Sequence, residues 1–404
     1  MKQMPLIAYF SANLISLVGN NLTLIAVPWF VLETTGSAFQ IGLVAFFTAL
    51  PAILAAFFGG TLVDRFGQKR MSIFSDLASG ITVLLIPLLY ASVGLHFWQL
   101  LLLVFLSALL DGPGNTARQA LLPELAEAAH LPLEKANAVQ QAIQRAGILI
   151  GPALAGFLIV WLGSSNVLWL DAASFAVSAG LFALAVPSVR PRVKPESRYL
   201  NLLKEGWQFV RRDRLIMAVC ITIAITNFLD TPLFAVVLPV YAEQVYGQAT
   251  ALGLLISSMG AGALLGSLLY GLFIFRAPRR MTFVIALILV GLPFWALSLT
   301  PPFYLALLAL FCGGVAAGQL NPLIMTIVQE RTPPDLRGRV FGIITALALI
   351  AAPLGMVVAG FLTEWLGVII VLLLIAFIYL LVTLSQVFNP AWHQMNQAAV
   401  TDKL

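Results

Sequence analysis

The sequence predicts an all-α membrane protein in which twelve transmembrane helices form two six-helix bundles, with both termini in the cytoplasm. Three observations lead to this prediction: the composition, the length of the apolar runs and an internal repeat. Of the 404 residues, 60% are hydrophobic and only 10% are charged, whereas a soluble domain has about 25% charged residues. So few charges cannot cover a water-exposed surface, which excludes an ordinary soluble enzyme, a disordered protein and a nucleic-acid-binding protein.

Twelve apolar runs follow one another along the chain, and each is long enough to cross a bilayer, which takes about 20 residues. Inside the hydrocarbon core the backbone must satisfy its own hydrogen bonds, which favours helices, and the runs lack the alternation of a β-barrel strand. The first run is not followed by a small-residue cleavage site, so we expect a retained helix. The runs cover residues 5–32, 38–63, 71–93, 96–121, 136–162, 166–187, 214–242, 249–275, 281–299, 303–329, 338–362 and 367–388.

The basic residues indicate the orientation. When the connections are assigned alternately to the two sides, all 22 Lys and Arg residues fall on the side of the N-terminus. Basic segments stay in the cytoplasm, so this distribution predicts that both termini are cytoplasmic. The opposite connections contain no Lys or Arg, and they are 33–37, 94–95, 163–165, 243–248, 300–302 and 363–366.

The two halves of the chain resemble each other. AGFLIVWLG at 155–163 recurs as AGFLTEWLG at 359–367, and Pro28, Gly36 and Arg65 recur at one constant offset as Pro239, Gly247 and Arg276. A six-helix repeat keeps its orientation, so the halves are predicted to be parallel repeats, as in two-bundle secondary transporters whose substrate site lies between the bundles. The predicted domains are an N-terminal bundle (1–187), a cytoplasmic linker with an amphipathic helix (188–213) and a C-terminal bundle with a short tail (214–404).

A glycine-rich, charged segment joins the second and third runs and reads GTLVDRFGQKR. It resembles the signature loop of the major facilitator superfamily, and this resemblance implies a cytoplasmic gate between the two bundles. The gate residues implied are Gly60, Asp64, Arg65, Gly67, Lys69 and Arg70.

Two further stretches are similar to branches of that superfamily. Gly147, Gly151, Pro152 and Gly156 in the fifth run resemble the motif of its antiporters, although the same small residues also serve as a helix-packing seam. VPWFVLETTGSA at 27–38, together with GPGNTARQALLPEL at 112–125, resembles the branch of macrolide-efflux proteins and enterobactin exporters.

Four acidic residues fall inside the predicted spans, where an ionisable group is costly and marks a candidate functional site. They are Asp76, Asp111, Asp171 and Asp230. The resemblance implies that the fourth and seventh helices line the transport cavity, so Asp111 and Asp230 are the candidates for proton coupling. The alternative for Asp111 is a structural ion pair with Arg118 or Arg145. Asp76 is expected to pair with the basic residues of the 64–70 loop, and Asp171 to form structural hydrogen bonds.

Neutral polar side chains in the spans form a second candidate set, which contacts substrate in the cavity or holds helices together. These residues are Asn13, Asn20, Asn21, Asn115, Asn227, Gln319 and Asn321. The chain has no phosphate-binding G-x-x-x-x-G-K-[ST] motif and no metal-ligand spacing among its histidines. We therefore expect neither an enzyme nor a bound metal or cofactor.

The resemblance, taken with these residues, implies a secondary active transporter in a bacterial cytoplasmic (inner) membrane. The expected activity is proton-coupled efflux of amphipathic drugs or related small molecules by alternating access. Its expected partners are that small amphipathic substrate, protons and membrane lipid, with no nucleic acid, and the expected assembly is a monomer. The alternatives are a siderophore or lysolipid exporter and an uncoupled facilitator.

Overall fold

The structure, a computed structural model, describes residues 3–187, 199–273 and 278–396, and within them it omits the side chains of 56–61, 199–205 and 273. In these residues twelve helices are long and apolar enough to span a membrane, and none of the residues described forms a strand. The predicted all-α class and the predicted number of spans are confirmed. The first six spans are α1 (Met4–Thr35), α2 (Ala38–Phe66), α3 (Gln68–Ser92), α4 (Phe97–Ala128), α5 (Leu133–Leu162) and α6 (Ser164–Ala185).

A shorter helix, α7 (Tyr199–Arg212), lies in the segment between the two halves. Its Val210 is buried and its Trp207 is exposed, and α7 packs against helices of the second half. The remaining spans are α8 with α9 (Arg214–Pro232 and Leu238–Tyr246), α10 (Ala249–Phe273), α11 (Arg279–Ser298), α12 (Phe303–Arg331), α13 (Arg337–Leu366) and α14 (Val368–Phe388).

Short turns with local signals end the helices. Gly36 closes α1 with a left-handed backbone (φ 66°), and the Ser37 hydroxyl then accepts a hydrogen bond from the Gln40 amide at 3.2 Å to cap α2. Gly67 joins α2 to α3 with φ 84°. A side chain is strained at such positive φ values, so glycine at both turns follows from the backbone geometry.

The seventh span is interrupted near its middle. A π-helical segment, Leu233–Val237, separates α8 from α9 and follows directly after Pro232. Proline lacks a backbone donor and clashes with the preceding turn, so it favours a break in the regular helix. A π segment inside a helix is often found at a functional position, and this one begins three residues after Asp230.

The chain divides into two compact units. The first contains Met1–Lys194 and Leu238–Ser257, and the second contains Pro195–Val237 and Ser258–Leu404. The division in the seventh span therefore falls at the end of the π segment. The boundaries 1–187, 188–213 and 214–404 remain a prediction drawn from the repeat.

The first unit packs its helices through small residues. Contacts are extensive between α1 and α6, α3 and α4, α2 and α4, and α3 and α6. A Cβ built on Gly114 of α4 would lie 2.6 Å from the Cβ of Ser75 on α3, so only glycine allows this approach. At one end of the unit Tyr9, Leu121 and Phe182 form a buried cluster from α1, α4 and α6.

The second unit contains a pair of helices in backbone-to-backbone contact. Gly262 and Gly266 of α10 face the carbonyl oxygens of Phe311 and Val315 on α12, at positions where a Cβ would clash. Gly314 and Gly318 of α12 face α10 in the same way. Glycines four residues apart on both helices form the packing motif that membrane helices use for close approach.

Candidate functional site

Asp111 on α4 is a carboxylate with only part of its hydrogen-bonding capacity used. Its Oδ2 accepts a hydrogen bond of 2.8 Å from Asn115 Nδ2, one turn later on the same helix. Its Oδ1 is enclosed by protein atoms and has no hydrogen-bond partner in the described part of the chain. A buried acceptor without a donor is costly, so this oxygen marks a place for a proton, a water or a ligand.

Arg118, expected as a possible partner of Asp111, is instead paired with Asp76. The Arg118 guanidinium donates to Asp76 Oδ1, and the Ser178 hydroxyl donates to Asp76 Oδ2 at 2.7 Å. Asp76 is fully buried and Arg118 is 5% exposed. The expectation that Asp76 pairs with the basic residues of the 64–70 loop is therefore wrong, because Asp76 points between α4 and α6.

The Asp76–Arg118 pair is embedded in the core of the first unit. The Tyr9 hydroxyl donates to the Arg118 carbonyl oxygen at 3.0 Å, and the Arg118 guanidinium lies 5.3 Å from the centre of the Phe182 ring. Helices α1, α3, α4 and α6 thus meet at this one pair. A buried pair whose acid also accepts from Ser178 and whose guanidinium lies over a ring is a structural element of the unit.

Asp230, on α8, is held by a tyrosine that the sequence analysis did not single out. The Tyr379 hydroxyl of α14 donates to Asp230 Oδ1 at 2.5 Å, and Tyr379 is itself buried. Its ring packs against Phe294, with the ring centres 5.4 Å apart. The carboxylate therefore points toward α14, the twelfth span. Because Tyr379 is far from Asp230 in the chain, no local sequence pattern indicates that the two residues are in contact.

Asp171 makes the structural hydrogen bonds that were expected of it. The Thr23 hydroxyl of α1 donates to Asp171 Oδ2, and the Ser174 hydroxyl donates to Oδ1 at 3.2 Å. A Cβ on Gly19 of α1 would clash with both Asp171 and Ser174, so glycine provides the space for the acid.

Each half has an acid between its first and last spans, but the acid is on the last span in the first half and on the first span in the second half. Gly19 and Asp230 are equivalent in the repeat, since they are separated by the offset that relates Pro28 to Pro239. In the first unit the glycine is on α1 and the acid is on α6. In the second unit the acid is on α8, the counterpart of α1, and its partner is on α14, the counterpart of α6. The repeat therefore conserves a polar contact between these helices and exchanges which helix carries the charge.

Most of the candidate amide side chains form bonds within or between helices of their own unit. Asn13 Nδ2 donates to Gln140 Oε1 of α5 at 3.3 Å. Asn21, Asn227 and Gln319 donate to the carbonyl oxygen four residues earlier on their own helices, at 2.7, 2.9 and 3.4 Å. Asn20 is half-buried, and Asn115 and Asn321 are exposed.

The glycine motif of α5 faces two neighbouring segments. A Cβ on Gly147 would lie 2.5 Å from Leu17 Cδ2, and one on Gly151 would lie 2.5 Å from Asn21 Cβ, both on α1. On another side, a Cβ on Gly156 would lie 2.6 Å from the Ala249 carbonyl oxygen of α10.

The same part of α10, which belongs to the first unit, also contacts Pro152 and its neighbour on α5. Gly253 packs on the Pro152 carbonyl, and the Ala153 amide donates to Ser257 Oγ at 3.1 Å. The helix 5 motif is thus a close-packing surface toward α1 and the Ala249–Ser257 part of α10.

The charged 64–70 segment forms the turn between α2 and α3. Lys69 Nζ donates to the Ala183 carbonyl oxygen near the end of α6 at 2.9 Å. The Arg65 guanidinium lies 5.7 Å from the centre of the Phe66 ring, and Asp64 and Arg70 are exposed. The surroundings of Gly60 lie outside the described residues.

In the second unit, an ion pair joins the start of α11 to the end of α12. Arg279 donates to both carboxylate oxygens of Glu330, at 2.5 and 2.8 Å. Both side chains are more than one-third exposed.

Comparison with known proteins places these features in a family. The model of the Major Facilitator Superfamily matches residues 9–249 and 222–392. The chain is 31% identical to "Multidrug efflux pump Tap" of Mycolicibacterium fortuitum, over 98% of each chain. It is 22% identical to "Macrolide efflux protein A" of Streptococcus pyogenes, over 89% of each chain.

A solved structure shows the same fold at low sequence identity. The nucleoside transporter NupG superposes with a TM-score of 0.79 over 95% of this chain and 98% of its own, at 14% identity. The predicted resemblance is therefore confirmed by a family match over most of the chain and by the shared fold. This chain belongs to the major facilitator superfamily and is a membrane transporter, not an enzyme.

Proposed function

We propose that this transporter exports amphipathic drugs or related small molecules from a bacterial cytoplasm, driven by protons that move inward. Similarity over nearly the full length to a multidrug efflux pump supports the export of drugs. The confinement of all 22 Lys and Arg residues to one side supports cytoplasmic termini in the inner membrane. Alternating access then moves residues 1–187 relative to 214–404, with the 64–70 segment as the cytoplasmic gate, and the monomer is the working unit.

The partly unsatisfied carboxylate of Asp111 carries the proposal of proton coupling. A coupling acid must gain and lose a proton during the cycle, which a carboxylate locked by donors on both oxygens does with difficulty. Asp76 and Asp171 each accept on both oxygens, whereas Asp111 Oδ1 has no partner in the described structure. Asp111 is therefore the first candidate to carry the proton.

Asp230 remains the second coupling candidate. The Tyr379 hydroxyl donates to it in the described structure, so proton exchange at Asp230 requires that hydrogen bond to open. The π segment directly after it in the chain offers a place where the seventh span can rearrange. The amide residues Asn13, Asn20, Asn21, Asn115, Asn227, Gln319 and Asn321 remain candidates for substrate contact.

Everted membrane vesicles with an acidified interior test this proposal. Addition of macrolides, lipophilic cations, siderophores and lysolipids one by one is expected to release protons for at least one drug. In Asp111→Asn the substrate-dependent proton release is lost while substrate binding and the amount of folded protein are retained. Glu127→Gln, an exposed acid near the end of the same helix, is the matched control and keeps wild-type proton release.

Different outcomes separate the candidates. Loss of proton release in Asp230→Asn but not in Asp111→Asn transfers the coupling role to Asp230. Binding without proton movement for every compound overturns proton coupling and favours an uncoupled facilitator. A response confined to siderophores or lysolipids overturns the drug as substrate.

A further inference from the structure

A cavity of about 670 Å³ opens between the ends of α1, α3, α4 and α6 in the first unit. It is lined by Phe30 and Glu33 of α1, Tyr90 of α3, Phe97 of α4 and Ser164 of α6. These helix ends border connections 33–37, 94–95 and 163–165, which contain no Lys or Arg. We call this side the non-basic end, and the cavity lies at the opposite end of the unit from the 64–70 segment.

The Glu33 carboxylate is held in place within this cavity by two donors. The indole Nε1 of Trp29 donates to Glu33 Oε1 at 2.8 Å, and the Ser164 hydroxyl donates to Oε2. A carboxylate oxygen can accept two hydrogen bonds, so each oxygen retains a free acceptor direction. Glu33 is an exposed residue, so a ligand can reach its negative charge.

Aromatic rings stand beside this charge. Phe30 and Tyr90 pack edge to face with ring centres 4.9 Å apart and planes at 86°. Phe30 is buried and fixes the arrangement, whereas Tyr90 is 47% exposed and lines the cavity. Ring faces attract organic cations, and they do so most strongly when the cation is partly removed from water.

No basic side chain competes for Glu33 at this end of the described unit. All Lys and Arg residues are assigned to the other side. His96, the histidine in this region, forms a capping box with Gln99, whose side chain accepts from the His96 amide at 2.9 Å. The cavity therefore combines one fixed anion, aromatic surface and hydroxyl groups with no built-in counter-ion.

We propose that this cavity binds organic monocations with an aromatic body, approaching from the non-basic end. The 27–38 segment supplies Phe30 and Glu33 to the lining and Trp29 to orient the carboxylate. The same segment resembles the branch of macrolide-efflux proteins and enterobactin exporters. A ligand site at this end would give its polar and aromatic residues a role beyond helix packing. The inference goes beyond the proposed export activity and does not depend on it, because binding here requires neither Asp111 nor Asp230.

The test measures binding of phenyltrimethylammonium to the full-length protein in lipid nanodiscs by calorimetry, with tert-butylbenzene as the uncharged isostere. An ion pair and a cation–π contact at a partly exposed site contribute modestly, so Glu33→Gln is expected to raise Kd about fivefold. Tyr90→Ala is expected to raise Kd about threefold, whereas Tyr90→Phe keeps the ring and the affinity. Glu243→Gln, an exposed acid of α9 at the same end, is the matched control and is expected to leave Kd unchanged.

Three results would overturn the site. One is a wild-type Kd in both Glu33→Gln and Tyr90→Ala, which would mean that Glu33 only connects α1 to α6 through its hydrogen bond with Ser164. Another is equal affinity for the uncharged isostere, which removes the role of the charge. The third is loss of all binding in Asp111→Asn, which locates the cation elsewhere. Retained binding in Asp111→Asn without proton release would support this site while the coupling proposal is judged separately.

Discussion

The buried Asp76–Arg118 pair allows a quantitative test of what stabilises the first unit. Asp76→Asn preserves the shape of the side chain and an acceptor for Ser178 but leaves the Arg118 guanidinium buried without its anion. Removing one partner of a buried ion pair costs about 3–5 kcal/mol, because the remaining charge is uncompensated. The free energy of unfolding is expected to fall by that amount.

The second unit offers a matched control in an exposed pair. Arg279 and Glu330 are 37% and 41% exposed, so solvent screens their interaction and Glu330→Gln is expected to cost about 0–1 kcal/mol. The double variant Asp76→Leu with Arg118→Met removes both buried charges. It is expected to recover most of the stability lost in Asp76→Asn, since an apolar replacement of a buried pair is often neutral.

Thermal unfolding of the purified protein in detergent, followed by tryptophan fluorescence, measures these differences. One kcal/mol corresponds to about 2–4 °C for a unit of 150–250 residues, so Asp76→Asn is expected to lower the midpoint by about 6 °C or more. A shift no larger than that of Glu330→Gln would refute the reasoning. So would a double variant that is less stable than Asp76→Asn.

Three further changes have expected outcomes, two in the same thermal assay and one by size-exclusion chromatography. Tyr379→Phe removes the donor to Asp230 and is expected to cost about 0.6–1.7 kcal/mol, as membrane hydrogen bonds do; an unchanged midpoint would contradict the contact. Gly266→Leu places a side chain against the backbone of α12 and is expected to abolish the folded-protein peak on size-exclusion chromatography. Gly271, on the same helix, has open space around it, so Gly271→Leu is the control and is expected to yield wild-type amounts of folded protein. Gly67→Ala introduces a side chain at φ 84° and ψ 148°, a backbone region open essentially to glycine alone, and is expected to cost about 1–3 kcal/mol. A neutral effect would show that the turn relaxes.

Much of the local structure could be predicted from the sequence. The apolar runs correspond to the twelve spans of the described residues. Gly36 and Gly67 stand at helix ends, where the backbone needs a positive φ. These features depend on residues close together in the chain, which is why hydropathy, run length and turn chemistry indicate them.

The hydrogen-bond partners of the candidate acids could not be predicted from the sequence. Asp76 and Asp230 were both recognised as buried ionisable residues, but their partners, Arg118 and Tyr379, lie on other helices. Which partner a side chain meets depends on how each helix is rotated about its axis and which helix stands beside it. No periodicity within a single span specifies that rotation.

The amino-acid sequence was enough to predict a helical membrane protein with an internal repeat and the signature of its superfamily. Hydrophobic thickness and the cost of an unpaired backbone in lipid impose those properties locally. The packing of the helices ties Asp76, Asp171 and Asp230 to neighbouring helices, and among the described residues it leaves one oxygen of Asp111 without a donor. It also decided that Glu33 stands between Trp29 and Ser164 beside aromatic rings, because side chains from distant parts of the chain meet only when the helices pack.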